Sequence, residues 1–269
     1  MLASEALADL ELLIRSRYGL IHVATAEEDR TETVLRHLSD RLGLPLFTWS
    51  RSKGIVRDTH ANGVYETNDP ALALAHIVSS QMAALYLFPA FDGMAQNELV
   101  VHRLKEVAAA LGSRSGALVI AGESVDVHPS VRRLMAVYRL PHPSPQELRA
   151  LIQHIARDIG RRRPVAIDLT PEDEARLLNV LRGLTLLEAE RVLTRAMLED
   201  HRLAADDIAH AVAEKKQIVE RDGVLEYYPH EESLAEVADL AGLKAWLRKR
   251  SNILKDPERA AQFGLTVPR

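Results

Sequence analysis

The chain has 269 residues, of which 47% are apolar and 27% are charged, a composition that is typical of a folded, water-soluble protein and excludes disorder over most of the length. The net charge of −4 excludes a uniformly basic nucleic-acid binder, and the absence of cysteine excludes a disulfide scaffold, a thiol nucleophile and a cysteine-based zinc site. No apolar run reaches the roughly 20 residues that span a bilayer, so we expect no membrane segment.

Strand and helix signals alternate over the first half of the chain. Short apolar runs predict buried strands at residues 20–25, 44–49, 84–89, 117–121 and 137–140. Continuous apolar strands that alternate with helices indicate a parallel sheet covered on both faces. The sequence therefore predicts an α/β layer whose ligand crevice lies beyond the carboxyl ends of the strands.

Capping residues mark the helices between these strands. Thr25 can cap the first of them, with Glu28 at the capping-box position. Asp69 can cap the next one, since the proline after it suits a first helical turn, where no N–H is needed. A further helix, ended by a glycine, is expected over residues 95–111. The turn residues within 51–68 predict a loop or a hairpin.

The pattern changes to helices alone after the fifth strand. Ser144, Thr170 and Thr185 each stand at a cap position and are followed by an acid three residues later. A fourth helix is predicted over residues 206–221. These signals predict a small all-α bundle after the sheet, with a domain boundary near Pro141.

The last part of the chain has an apolar pattern of its own. Within residues 234–254, the side chains at helical spacing are Leu240, Leu243, Trp246 and Leu247. Apolar segments near a chain end usually need a surface to pack on. Either this tail folds back on the bundle, or the chain has been cut before a further domain.

Charge is spread unevenly along the chain. Residues 128–165 contain eight arginines and two acids, whereas residues 166–240 contain eighteen acids and eight basic side chains. The arginine-rich stretch can face a partner or a phosphate, or it can be the solvated face of helices. The first interpretation motivates a search for binding to nucleic acid or to an acidic partner.

Four stretches, together with this layout, resemble one protein family. They are LLIRSRYGLIHVATAEEDR at residues 12–30, LPLFTWS at 44–50, GLTLLEAERVLTRAMLED at 183–200 and, most specifically, EKKQIVERDGVLEYYPHEESLAEVADLAGLKAWLRKRSNIL at 214–254. The chain resembles the N-terminal region of the AAA+ ATPases first described as hypothetical reading frames of chloroplast and cyanobacterial genomes. In that family the segment FGLTVPR is followed by a strand and by the phosphate-binding loop of an active AAA+ module.

The resemblance implies three parts. Residues 1–141 would be a degenerate AAA+-like α/β domain, residues 142–222 a helical lid-like bundle, and residues 223–269 the lead-in to a missing catalytic AAA+ module. ATP and magnesium would bind in that adjoining module, and no cofactor is expected in this chain. The resemblance also implies a homo-oligomer, with a ring as one arrangement, in the cytoplasm or, for a plastid-borne gene, in the plastid stroma.

The residues themselves argue against ATP hydrolysis by this chain. A phosphate-binding loop of the form G-x-x-x-x-G-K-[ST] needs glycines for close backbone approach and a lysine for charge, and no glycine here precedes a lysine. The acids at residues 27–29 follow the first strand and would repel a triphosphate. The third strand ends with Pro89 and Ala90 where such families often carry a metal-binding acid, and Asp92 lies later. We therefore predict no catalytic residue.

Three arginines are candidate site residues by their place in the resemblance. Arg132 and Arg133 precede the fifth strand, in the region that faces a neighbouring AAA+ subunit and can supply an arginine to its phosphates. Arg191 stands near the position of a lid residue that senses phosphate in active modules. On the residues alone, Arg132 and Arg133 can instead be surface arginines on a short helix. Arg191 can instead be a partner of Glu188 or of nearby acids on the same helix.

The expected function is that of a non-catalytic regulatory or assembly region of an AAA+ ATPase. It would contact other subunits and an unidentified protein client, while the following module hydrolyses ATP. The alternative is a free-standing AAA+-like subunit that binds nucleic acid or a protein partner through the arginine-rich stretch. The 11 histidines are scattered along the chain, so no metal site is predicted.

Overall fold

The five predicted apolar runs and one strand from the stretch 51–68 form a six-stranded sheet in the computed structural model. Its strands are β1 (Leu20–Ala24), β2 (Leu46–Ser50), β3 (Gly54–Arg57), β4 (Leu85–Pro89), β5 (Ala117–Gly122) and β6 (Ala136–Arg139). They lie in the order β3-β2-β4-β5-β1-β6, and all neighbours are parallel except β2 and β3. The α/β prediction is thus confirmed, and the turn signals after β2 belong to an antiparallel hairpin at the sheet edge.

Helices connect these strands and continue after them. In the described part of the chain they are α1 (Ser4–Arg15), α2 (Glu28–Leu42), α3 (Pro70–Ser79), α4 (Glu98–Ser113), α5 (Pro129–Arg132), α6 (Pro145–Gly160), α7 (Pro171–Leu181), α8 (Leu186–Asp200), α9 (Asp207–Glu220) and α10 (Ala241–Lys255). We call α1 to β6 the sheet part and α6 to α9 the helical part.

The structure describes residues 4–58, 62–89, 91, 97–161, 163–220 and 239–255. The chain divides into two compact units, residues 1–217 and residues 218–269. Within the described segments, every helix is too short or too polar to cross a membrane. The three-part division of the chain near residues 141 and 222 stays a prediction.

Each face of the sheet buries its own apolar core. On one face, Leu118 and Ile120 of β5 pack in a cluster with side chains of α3, α4 and α5. On the other face, Val119 and Ala121 pack with side chains of α1 and α2. Successive side chains of a strand point to opposite faces, which is why the β5 run is apolar throughout.

The predicted caps hold four of the helices at their first turns. The Asp69 carboxylate accepts hydrogen bonds from two backbone N–H groups at the start of α3. Ser144 and Thr185 form full capping boxes at the starts of α6 and α8. The Thr170 hydroxyl accepts from the backbone N–H of Asp173 in α7. Each such cap is worth about 1 kcal/mol.

The helix predicted over residues 95–111 begins and ends later than expected. Asn97 caps it, and it runs to Ser113 through Gly112, a residue type that often ends helices. A Cβ atom at Gly112 would stand 2.7 Å from the carbonyl oxygen of Arg17. The glycine therefore permits the chain before β1 to pass close to α4, and close approach explains it better than helix termination does.

The helical part contains a small sheet that the all-helix prediction omits. Strands β7 (Ala166–Asp168) and β8 (Arg202–Ala204) pair in parallel, with Ile167 opposite Leu203. Each strand has three residues, which is too short for hydrophobic periodicity to signal. The predicted helical bundle after the sheet is confirmed with this addition.

Candidate functional site

The carboxyl ends of the parallel strands form the edge where an open α/β sheet binds ligands. At this edge β1 ends at Ala24 and α2 begins at Glu28, so three residues connect them. A phosphate-binding loop needs a longer, glycine-rich connection at this place, because its backbone N–H groups must wrap around the anion. The connection present here is too short for that purpose.

The start of α2 differs from the predicted capping box. Glu27, and not Thr25, is the N-cap residue, and its side chain makes no capping hydrogen bond. The Thr25 hydroxyl instead accepts from the backbone N–H of Glu27 at 2.9 Å. The predicted cap is wrong because α2 begins at Glu28, three residues after Thr25. The Glu27 carboxylate makes no cap because it binds Arg30 and the start of α8.

Arg30 is the centre of a buried polar cluster at this edge. Its Nη1 donates to Glu27 Oε2 at 3.0 Å and to the carbonyl oxygen of Pro141 at 2.6 Å. Its Nη2 donates to Glu147 Oε1 at 3.0 Å. The side chain of Arg30 is 3% exposed, and the two glutamates are 9% and 5% exposed. We call Glu27, Arg30 and Glu147 the crevice cluster.

The crevice cluster joins the sheet part to the helical part. Glu27 Oε1 accepts a 2.6 Å hydrogen bond from the backbone N–H of Leu186, the first residue of α8. The unpaired N–H groups and the dipole of a helix N-terminus attract an anion. At the start of α8 that anion is a carboxylate of the same chain, and α6 is tied to the same cluster through Glu147.

Glu147 has two tasks at the start of α6. Its Oε2 accepts from the backbone N–H of Ser144 at 2.9 Å and from the Ser144 hydroxyl at 2.8 Å, while Oε1 binds Arg30. Burial raises the pKa of Glu147, but the hydrogen bonds from Ser144 and the charge of Arg30 outweigh it and hold the pKa below its usual value. One carboxylate thus completes a capping box and neutralises a buried guanidinium.

The crevice cluster does not suit a triphosphate. It combines two carboxylates with one guanidinium, so its net charge is negative, and Glu27 already binds the nearby helix N-terminus. In the described segments, no group of three or more histidine, aspartate and glutamate side chains could hold a metal ion. Pro89 ends β4, whereas Ala90 and Asp92 lie outside the described residues.

The arginines singled out in the sequence are not members of this cluster. Arg132 ends the short helix α5 and Arg133 follows it, and both are exposed without an ion pair to any described residue. Arg191 lies on the exposed face of α8, where it lines a groove. It makes no ion pair with Glu188 or with another described residue, and one oxygen of the Glu188 carboxylate accepts from Thr185. The roles assigned to the three arginines remain predictions.

Arg30 and Glu147 are the residues of the candidate site that the sequence did not single out as a pair. The pairing of Glu27 with Arg30 had a signal, because residues three apart on a helix are neighbours. Glu147 lies 117 residues beyond Arg30 in the chain, and no local pattern reports such a contact. In the sequence it is visible only as the acid of a capping box.

Comparisons with known proteins agree with this architecture. Residues 6–140 match the family described as SpoVK-like AAA ATPase, N-terminal domain, and residues 146–222 match SpoVK-like AAA ATPase, second domain. The chain is 25% identical to the uncharacterized AAA domain-containing protein ycf46 of Pyropia yezoensis over 264 residues, and 25% identical to that of Trieres chinensis over 263. These matches cover 97% of this chain but 52% and 51% of the relatives, so the chain spans about half their length.

Solved structures share the fold at low sequence identity. The structure of C. elegans PCH-2 matches with a TM-score of 0.51 and 9% identity, over 81% of this chain and 69% of that one. The FIGL-1 AAA domain in complex with ADP matches with a TM-score of 0.50 and 14% identity, over 91% and 86%. A chain of the E. coli MS115-1 HORMA:CdnC:Trip13 complex matches with a TM-score of 0.50 and 9% identity, over 84% and 90%.

Proposed function

The chain belongs to the SpoVK-like AAA ATPases, and from this premise we propose that it is a non-catalytic regulatory or assembly region of such an ATPase. It contacts other copies in a homo-oligomer and binds a protein client, while a following module binds and hydrolyses ATP with magnesium. A protein client is supported by the solved complex of HORMA, CdnC and Trip13, in which a chain of this fold is found with protein partners. We expect the chain to act in the cytoplasm or, for a plastid-borne gene, in the stroma.

The crevice cluster is the observation that carries this proposal. Where a nucleotide would lie, buried hydrogen bonds and ion pairs join α2, α6 and α8. Breaking a buried ion pair by removing one partner costs about 3–5 kcal/mol, because a charge is left buried without compensation. The cluster therefore favours one fixed arrangement of the sheet and helical parts, which suits a scaffold better than a site that opens and closes around a nucleotide.

The test is ATP binding and hydrolysis by the purified chain. We expect no hydrolysis above the rate in buffer and no rise of the thermal midpoint with ATP and magnesium, because only a ligand that binds the folded state stabilises it. Two variants on the same helix provide the comparison, Arg30→Met in the crevice cluster and Arg36→Met on the exposed face. Turnover that is lost with Arg30→Met and kept with Arg36→Met would contradict the proposal.

The second candidate is a free-standing AAA+-like subunit that binds nucleic acid or a protein partner. It is favoured by Arg132, Arg133 and Arg139, which are exposed at α5 and at the edge strand β6 and make no ion pair with a described residue. Phosphate contacts of this kind weaken steeply as salt is added. Fluorescence anisotropy with labelled DNA and RNA at low ionic strength measures such binding, and its absence there removes the nucleic-acid form of this candidate.

A further inference from the structure

Helix α8 exposes two leucines on the side opposite its packed face. The packed face buries Ala189, Val192, Leu193 and Met197. On the outer face, Leu187 and Leu198 are 53% and 54% exposed. They stand at the two ends of a groove of about 670 Å³, which we call the α8 groove. Its lining consists of Leu187, Glu190, Arg191, Thr194, Arg195, Leu198 and Glu199.

The α8 groove lies on an acidic surface. Glu190 and Glu199 make no ion pair with a described residue, whereas Arg195 beside them is neutralised by a glutamate of α9. Arg191 leaves one positive charge between the two acids. Residues 166–220 as a whole carry twelve acids and seven basic side chains. A groove with two exposed leucines, and with two acids against one arginine that lack an ion pair to a described residue, is complementary to a partner that has both apolar and basic side chains.

Helix α10 has that complementary composition. Its 15 residues include five lysines and arginines and no acid. Leu243 and Trp246 are each about half exposed and lie on one face, three residues apart. Arg250 shares that face, with its Cζ atom 4.2 Å from the centre of the Trp246 ring. These features define a basic amphipathic helix, which binds through its apolar stripe and its cations together.

We infer that α10 of one copy lies in the α8 groove of a second copy. Leu243 and Trp246 of α10 cover the groove leucines, and its exposed Lys249 and Arg250 meet Glu190 and Glu199. At about 1.5 Å per residue, the groove is about 16 Å long between Leu187 and Leu198, which matches three turns of α10. The two surfaces differ, so the contact is heterologous and repeats from copy to copy into a ring or a filament. This inference rests on the proposed assembly function and names the surfaces that carry it.

Charge reversal in the full chain tests the contact, with mass measured by light scattering and sedimentation over a range of concentrations. One variant reverses the helix, with Lys249→Glu and Arg250→Glu, and the other reverses the groove, with Glu190→Lys and Glu199→Lys. Each alone is expected to weaken self-association about tenfold, because like charges then face each other. An equal mixture of the two is expected to regain the wild-type mass, because each variant supplies the surface that fits the other.

A matched control changes the charge as much at sites outside both surfaces. Asp9→Lys with Asp40→Lys alters two exposed acids that make no ion pair with a described residue, and the mass should not change. Recovery on mixing also establishes that the reversed variants are folded. It separates a lost contact from a lost fold.

Three results would overturn the inference. If the wild-type chain stays monomeric at every concentration, a second copy does not occupy the α8 groove. Variants that fail to reassociate on mixing show that the charges do not face each other. A zero-length cross-link between Glu190 and Lys249 that forms only within single chains shows that the second copy is not the occupant. ATP hydrolysis by the wild type would contradict the proposed non-catalytic role without altering these masses, so the two failures are distinguishable.

Discussion

At the scale of single residues, burial decides how much an ion pair contributes. Arg30 and Arg36 stand on the same helix and each binds two carboxylates, but Arg30 belongs to the buried crevice cluster, whereas Arg36 is 46% exposed beside Glu32 and Asp58. Exposed pairs are screened by water and contribute about 0–1 kcal/mol. The pairs of the crevice cluster lie out of water, so the loss of one partner leaves an uncompensated charge.

Arg30→Met is expected to lower the free energy of unfolding by about 3 kcal/mol or more, because Glu27 and Glu147 then remain buried without their cation. Urea unfolding followed by circular dichroism measures the change. Arg36→Met, which removes the same side chain from the exposed face of the same helix, is expected to cost about 1 kcal/mol or less. If both variants lost the same free energy of unfolding, the buried pairs of the crevice cluster would stabilise the fold no more than the exposed pairs of Arg36 do.

The lowered pKa of Glu147 predicts a dependence of stability on pH. The folded state takes up a proton on this group less readily than the unfolded state, whose carboxyl has the ordinary value of 4.5. The stabilisation is therefore complete above that value and is lost as the pH falls through the lower pKa of the folded state. Denaturant unfolding at a series of pH values should show the loss, and Glu147→Gln should make it shallower. Asp40→Asn is the matched control and should leave the pH profile unchanged, because Asp40 is an exposed acid that makes no ion pair with a described residue and lies outside both contact surfaces.

At the scale of helices and strands, local signals account for the elements that could be predicted. The apolar run of β5 and the Asp69 cap of α3 depend on residues close together in the chain, so the sequence alone was sufficient to place them. The pairing of β7 with β8, the passage of the backbone past Gly112 and the reach of Arg30 to Glu147 join distant residues. No window of neighbouring residues reports such contacts, so the pair of Arg30 with Glu147 in the crevice cluster could not be predicted.

The start of α8 couples a local cap to the crevice cluster. Thr185 caps this helix and so positions the Leu186 N–H that Glu27 binds. Thr185→Ala is expected to cost about 1 kcal/mol of unfolding free energy. Its effect should not add to that of Glu27→Gln, because both changes act on the same helix start. A double-mutant cycle by urea unfolding measures this coupling.

Thr170→Ala is the control for that cycle. Thr170 caps α7 in the same way, but its hydroxyl binds only Asp173 among the described residues. The loss should again be about 1 kcal/mol, and it should add to the effect of Glu27→Gln within about 0.5 kcal/mol. If Thr170→Ala were coupled to Glu27→Gln as strongly as Thr185→Ala is, the coupling could not be attributed to the contact between Glu27 and the start of α8.

At the scale of the whole molecule, the apolar core and the candidate contact helix belong to different stretches of the chain. Among the residues whose side-chain burial the structure describes, every buried apolar one lies at or before Ala211. Helix α10, by contrast, exposes Leu243 and Trp246 together with Lys249 and Arg250. Burial of such a stripe is favourable wherever a matching surface is present. The chain thus combines a stretch that contains its own core with a helix that exposes Leu243 and Trp246.

This division predicts how a shortened chain behaves. A chain ended after Glu220 keeps α9 whole and loses α10. It retains every apolar side chain that the structure describes as buried. We expect it to unfold cooperatively, with a thermal midpoint close to that of the full chain, because the buried apolar side chains of the described residues are all retained. We also expect it to stay monomeric at concentrations where the full chain associates, because the helix that enters the α8 groove is gone. Circular dichroism and light scattering measure the two properties. A broad transition would contradict the first expectation, and retained association would move the contact between copies away from α10.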